Sequence, residues 1–537
     1  EFRRVLFRSR DFTMRPKKRQ RTQSRVGTKR KKAKQLMKGD GVEQDEAKAV
    51  SLLEDCVAHG DADSMMVLAK CCALGCGMEY NAKRAEALVS EAANKGNAEA
   101  QNMMEHISVC KGEESSLDYE FHKELHTFSV PILMNIVPCK SIIFREMMYE
   151  NTEEIITWKS LKTSKLLTYM SMSGNKVENK DATLLSEALK INTTLTRLII
   201  NGSDIEDTGA ASLSEALMIN TTLVEFGIGY SAMGSEGIPS LIQALKSNTT
   251  LTKLDLGHNQ VNASMATQLS EVLKTNTTLT QLDMCWNKIG IAGAKALCEA
   301  LKSNTSLSAL NLNFNEIGNE VAALFSEILK SNTTLKQLDL AGNCIQERGA
   351  AQLIEVLKTN NTLMELNLNG NMIGFTGIAL FCEFLKTNTT LTALRLYGHD
   401  SGDKGAVLFS ESLKTNTTLA VLDLGCSNIR ERGATSLSEA LEINTTLTKL
   451  KLKNNNIGAT GAASLSQALK SNTALTQLCL NYNKIGGTGA ISLSEALKSN
   501  TTLTNLDLGC NDIGETGRAS LSEALKSNTT LTELKVW

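Results

Sequence analysis

Two histidines stand four residues apart in H-K-E-L-H, His122 and His126. That spacing would put both imidazoles on one helix face, as a zinc site needs. The zinc-hydrolase patterns H-E-x-x-H and H-x-x-E-H carry their Glu second or fourth. Here Glu124 is third, turned away from any shared metal, so the pair reads as a solvated helix face. Cys71, Cys72 and Cys76 form the densest thiol cluster, in a helical stretch where small packing residues are expected, and read as core thiols. No G-x-x-x-x-G-K-[ST] phosphate loop occurs, and none of the six His belongs to a nucleophile–base set. The expectation is no catalytic residue, no metal and no cofactor. What chemistry there is must be recognition.

The elements that would position a recognition surface are unusually legible. The block N-T-T-L-T-x-L-x-L recurs every 28 residues, its Asn falling at 192, 220, 248 and onward in unbroken register to 528. A fixed period of this length is the signature of a solenoid. In the repeat from Asn276, Leu279, Leu282 and Met284 alternate as in a short strand with one buried face. Gly290 and Gly293 supply turns, and Ala294, Leu297 and Leu301 have helical spacing over Ala294–Lys302. The next Asn, Asn304, suits a left-handed position after the helix. Each repeat is therefore strand, turn, helix, turn.

These residues resemble the long, ribonuclease-inhibitor type of leucine-rich repeat, L-x-x-L-x-L-x-x-N-x-I-G-x-x-G-A-x-x-L, over residues 164–537. The repeat half of NOD-like receptors is similar. The resemblance implies an α/β fold: a horseshoe solenoid with parallel strands on its concave side and helices outside. Geometry agrees, because strands stack about 4.8 Å apart while helices need about 8–10 Å. The Asn row at 175, 259, 287, 315, 343, 371, 455, 483 and 511 reads as structural, each amide bonding turn backbone. Ser203, Ser231 and Ser427 are weaker replacements, and His399 is a departure, in a repeat that also carries Ser401 in place of Ile or Val. The chain stops at Lys535-Val536-Trp537, inside a strand, so the solenoid reads as truncated.

Ahead of the solenoid, residues 1–13 precede the first Met and read as a non-native leader. Charge is divided sharply, with +13 over residues 1–34 and −14 over the remainder. Residues 14–38 are expected to be a disordered basic tail, too poor in apolar residues to fold. Its clusters Lys17, Lys18, Arg19 and Lys29, Arg30, Lys31, Lys32 resemble a bipartite nuclear localisation signal. The frame G-x-G-V-x-x-D-x-x-K-A at Gly39–Ala49 returns 36 residues later at Gly75–Ala85. It resembles Sel-one-like repeats and implies a small all-α helical-repeat domain over 39–107, with adaptor or scaffold roles. Residues 108–163 read as a linker and N-terminal cap. The odd count of 13 Cys, in no framework spacing, points to reduced thiols and a cytoplasmic or nuclear place.

A binding site is then expected on the concave face. Tyr230, His258, Trp286 and Phe314 occupy one position in four consecutive repeats, flanked by Asp255, Asp283 and Asp339 as an acidic rim. The expected activity is non-enzymatic scaffolding through a protein partner with a basic patch. No membrane is involved, and nucleic acid would be touched only weakly, by the basic tail. Two alternatives stand: a small-GTPase regulator resembling Ran GTPase-activating protein, and a fragment of a NOD-like-receptor-type sensor.

Overall fold

The computed structural model describes residues 15–38, 42–104, 118–121, 141–144, 161–162, 164–165, 167–175 and 177–536. They fall into two compact units, Glu1–Phe226 and Gly227–Trp537.

The first unit opens with four helices, α1 (Arg15–Lys38), α2 (Glu46–Ala58), α3 (Ala62–Leu74) and α4 (Ala82–Asn94). The 36-residue frame is visible in the helix starts. Asp45 and Asn81 accept from the N–H groups of Lys48 and Arg84, while Asp61 and Asn97 accept from Ser64 and Ala100. Such caps satisfy donors that the first helical turn leaves open. Gly77 is required where it stands: at φ +66° a β-carbon there would meet the Glu46 carbonyl.

The expected disorder over 14–38 is not what forms. Arg15–Lys38 is one helix, rich in Lys, Arg and Gln, which favour helix, with Pro16 in its first turn. It is held by Ala33 and Leu36, both buried, and by charge. Lys29 pairs with Asp55, and Arg30 bridges Asp61 at 2.9 Å and Asp63 at 2.6 Å. Segments expected as linker and cap contain strands Asp118–Phe121 and Ser141–Phe144. These pair in parallel with each other and then with Tyr169–Ser171, where Ser141 meets Tyr169.

The second unit is built from the 28-residue repeat. Each three-residue strand pairs in parallel with the strand one repeat on, so Leu254, Leu282, Leu310 and Leu338 stand in one line. Alternation sends these Leu inward and the flanking residues to the sheet's open face. The helix of the Asn276 repeat is Gly290–Leu301, four residues longer at its start than the spacing implied. Gly290 explains this: at φ +59° its N–H donates to Asn315 O at 3.0 Å and the helix begins at once. Gly293 is a packing residue and not a turn, since a β-carbon there would lie 2.9 Å from Ala266 Cβ.

Two rows of asparagine hold the stack. In the expected row, Asn343 is fully buried; its Nδ2 donates to Leu312 O at 2.8 Å and its Oδ1 accepts from Asn315 N at 2.8 Å. The second row is the Asn of N-T-T itself, which the left-handed assignment misplaced. Asn220 and Asn472 are extended, at φ −67° and −72°. Asn304 Oδ1 accepts from Leu307 N at 2.8 Å, and its Nδ2 reaches back to Leu273 O at 2.7 Å. Each repeat is thus tied to its predecessor at both ends of its strand.

Candidate interaction surface

Tyr230, His258, Trp286 and Phe314 lie three residues beyond the third strand position, in the turn that follows the strand, not on the strand itself. All four have left-handed backbones, at φ 54°, 56°, 52° and 52°. Each N–H donates across to the next repeat, to the carbonyls of Gly257, Cys285, Asn313 and Ala341 at 2.7–2.8 Å. The same repeat position is left-handed down the second unit: Gly342, Gly370 and Gly398 follow, then Cys426, Asn454, Tyr482 and Cys510 at φ 48°, 53°, 59° and 54°. The fold dictates the conformation, and glycine adopts it freely. An L-residue there costs about 1–2 kcal/mol. Four large aromatics in succession are a strained choice at a place where glycine serves.

The rings form one stack. Centroids are 3.6 Å apart for Tyr230–His258, 5.0 Å for His258–Trp286 and 3.9 Å for Trp286–Phe314, with planes within 21°. Phe314 closes the end over bare backbone, since a β-carbon at Gly342 would lie 2.7 Å from its ring carbons. Tyr230, Trp286 and Phe314 remain 59%, 49% and 42% exposed. Stacking covers ring faces, so the ledge turns ring edges outward, which suits apolar contact and acceptors better than cations. His258 Nε2 is buried without a hydrogen-bond partner. Burial holds this imidazole below its usual pKa, against the pull of Asp255 and Asp283.

The acidic residues are less free than a rim would be. Asp255, Asp283 and Asp339 sit half-buried on the sheet's open face, and each accepts the N–H two residues on, at 2.8–2.9 Å. Asp283 and Asp339 also take Nδ2 of Asn311 and Asn367, at 2.8 and 2.7 Å. The carboxylates shape the turn that carries the aromatics, as an Asx turn does. Burial pushes the Asp339 carboxyl above its ordinary pKa. Beside them the Cys285 thiol is raised well out of the nucleophilic range, by burial and then by Asp283.

Elsewhere, His399 takes over its ladder position: Nε2 donates to Leu368 O at 2.9 Å, as the Asn amides do. Cys71 and Cys72 are buried among apolar neighbours, and burial pushes Cys71 up to about 12. Among the described residues no group of His, Cys, Asp and Glu has metal-site geometry, and no helix is long and apolar enough to cross a membrane. His122 and His126 lie outside the described residues. Of the basic clusters, Lys17, Lys18 and Arg19 lie within α1, Lys29 and Arg30 are ion-paired, and Lys31 and Lys32 are exposed. Sequence reasoning passed over Lys449, Lys451 and Lys453, whose signal was the plain alternation K-L-K-L-K.

Comparison with known proteins agrees with the repeat geometry. The Leucine Rich repeat model matches residues 192–214, 247–264, 275–298, 415–438, 444–466, 471–494 and 499–522. The TMOD/LMOD Leucine-rich domain model matches 306–401. Among solved structures, Leiomodin-1 Actin-Binding Site 2 is 29% identical over 27% of this chain and 87% of its own, with a TM-score of 0.24. The tropomodulin C-terminal domain of Caenorhabditis elegans is 16% identical over 28% and 92%, with a TM-score of 0.26. No curated protein gives a significant match. The chain is a leucine-rich-repeat protein, its parallel strands alternating with helices behind an N-terminal helical region.

Proposed function

We propose that this protein is a non-enzymatic intracellular scaffold whose leucine-rich repeats bind a protein partner at the aromatic ledge of Tyr230, His258, Trp286 and Phe314. One observation carries the reading: four stacked aromatics, three of them exposed, are held in a strained backbone conformation for which glycine is the relaxed solution. Strain of this kind persists where the surrounding fold enforces it, and it clusters at binding sites. Side-by-side exposed aromatics supply the contact area that dominates interface energies. The half-buried Asp255, Asp283 and Asp339 add a negative field beside the ledge, which favours a partner with a basic patch and speeds encounter at low salt.

The ribonuclease-inhibitor, NOD-like and Sel-one-like resemblances, and nuclear import through residues 15–34, belong to the same proposal. The tropomodulin/leiomodin match over 306–401 includes Phe314. The leiomodin segment is named for actin binding, so actin belongs in the first panel of partners. The experiment is affinity capture with the full chain and with its Trp286→Ala variant, followed by dissociation constants for each purified candidate. A partner lost from the variant supports the ledge, and one held equally by both sets it aside.

A further inference from the structure

The sheet's open face changes character along the second unit. Between Lys253 and Glu365 its strands carry Asp255, Asp283 and Asp339, whereas the strand of the Asn444 repeat carries Lys449 and Lys451, with Lys453 two residues beyond its end. Leu450 and Leu452 between them are fully buried, which sends all three lysines to the open side. Alternate residues of an extended chain repeat every ~6.6–6.8 Å, so the three lysine side chains leave the backbone as an evenly spaced comb.

The comb is short of internal partners. Lysines at the ends of the repeat helices are neutralised locally: Lys274, Lys302 and Lys330 each reach a Glu three residues earlier at 2.6–2.7 Å. Among the described residues, Lys449 and Lys453 form no ion pair, and Lys451 Nζ is 3.9 Å from Asp423. Lys453 Nζ stands 5.8 Å from the centre of the Tyr482 ring. The following strand offers Gln477, Cys479 and Asn481, which are neutral acceptors and donors. Lys449 and Lys451 line the basic end of a shallow groove that runs past Gln477 and Cys479 to Asp507 and the Glu533–Lys535 ion pair, so the basic surface is confined to the three lysines.

We propose that Lys449, Lys451 and Lys453 form a second docking surface, separate from the aromatic ledge, for an extended acidic protein segment with carboxylates at alternate residues. Same-face side chains of an extended peptide repeat at the spacing of the comb, so each carboxylate meets one lysine without bending either chain. Gln477 supplies an amide in the groove. A long polyanion such as single-stranded nucleic acid fits less well. Beyond residue 34 the chain carries a net −14, and phosphates outside the comb would run into that field, whereas a short acidic segment sees the three lysines.

The test is fluorescence anisotropy of the full chain with three labelled probes in 0.1 M salt. One peptide alternates Glu with Thr, one has the same composition with its Glu contiguous, and the third probe is oligo-dT. The alternating peptide should bind tightest, and Lys449→Ala/Lys453→Ala should weaken it about tenfold, as two partly exposed pairs imply. A charge-matched helix-side variant, Lys470→Ala/Lys498→Ala, should bind as the parent does. Both variants should melt close to the parent: neither Lys449 nor Lys453 holds an ion pair, and the Lys498–Glu495 pair lost from the helix side is solvent-exposed and contributes little. Equal affinity for the two peptides, undiminished binding by the comb variant, or preference for oligo-dT would each overturn the proposal.

Discussion

His399→Asn should make the protein more stable, and increasingly so as the pH falls. In the regular ladder each Asn donates back to a strand carbonyl and accepts two N–H groups. Asn371 donates to Leu340 O at 2.9 Å and accepts from Asn343 and Ile345 at 3.0 and 2.9 Å. His399 reproduces the donation but has no oxygen to accept from Asn371 and Ile373, the corresponding donors. Its Nδ1 is buried with no hydrogen-bond partner. Restoring two buried acceptor bonds at about 0.5–1.5 kcal/mol each predicts a gain of about 1–3 kcal/mol at neutral pH. Burial also lowers the His399 pKa from 6.5, with the Leu368 carbonyl opposing. The unfolded chain therefore takes up a proton near pH 6.5 that the folded chain refuses until lower pH. Stability from this group is complete above that value and falls below it, by at most about 1.4 kcal/mol per pH unit. The variant escapes this loss, while the shifts at His258, Asp339 and Asp423 are common to both proteins and cancel in the difference. Because long repeat arrays need not unfold in one step, amide exchange across residues 371–402 should accompany urea unfolding at pH 7.5 and 5.5. A variant no more stable than the parent, or a difference unchanged between the two pH values, would refute the reasoning.

Leu310, 2% exposed at the centre of its strand, should lose about 2–5 kcal/mol on change to Ala, with exchange protection falling first in the repeats nearest it; a uniform drop across all repeats would contradict nearest-neighbour stacking. Gly342→Ala should lower stability by about 1–2 kcal/mol, because φ is +61°, and should also push Phe314 off its seat, seen as a changed ring environment by NMR. An unmoved Phe314 would show that the ledge does not depend on that glycine. Lys29→Ala/Arg30→Ala should reduce the thermal stability of the first unit by about 1 kcal/mol and shift the protein towards the cytoplasm; an unchanged melting curve would mean that α1 is held by its apolar contacts alone.

The period, the strand and the first Asn row could be read from the chain because each is a buried position that tolerates few residue types. Leu282, Leu310 and Asn343 recur because the stack leaves no room for alternatives. The left-handed column was hidden because Tyr, Trp and Phe are not residues associated with that conformation. Gly342, Gly370 and Gly398 in the same column were the available signal. The Asp row looked like a binding rim because side-chain identity does not reveal that Oδ1 is taken by the backbone two residues on. The α1 helix was hidden for a different reason. Among its described side chains two apolar residues are buried, and it depends on Asp55, Asp61 and Asp63, which charge counting places in another segment. Lys31 and Lys32 remain exposed on that helix, so charge alone left both a tail and a helix open.

The central claim, that the aromatic ledge is the partner site, is tested most directly by the affinity of a purified partner for the full chain and for Trp286→Ala. Trp286 is 49% exposed and its ring faces are covered by His258 and Phe314, not by the core, so the variant should unfold close to the parent, with the left-handed backbone strained in both proteins. Loss of a hot-spot aromatic predicts an affinity weaker by 2 kcal/mol or more, about 30-fold. Equal affinity for both proteins, within about twofold, would place the partner elsewhere on the repeats.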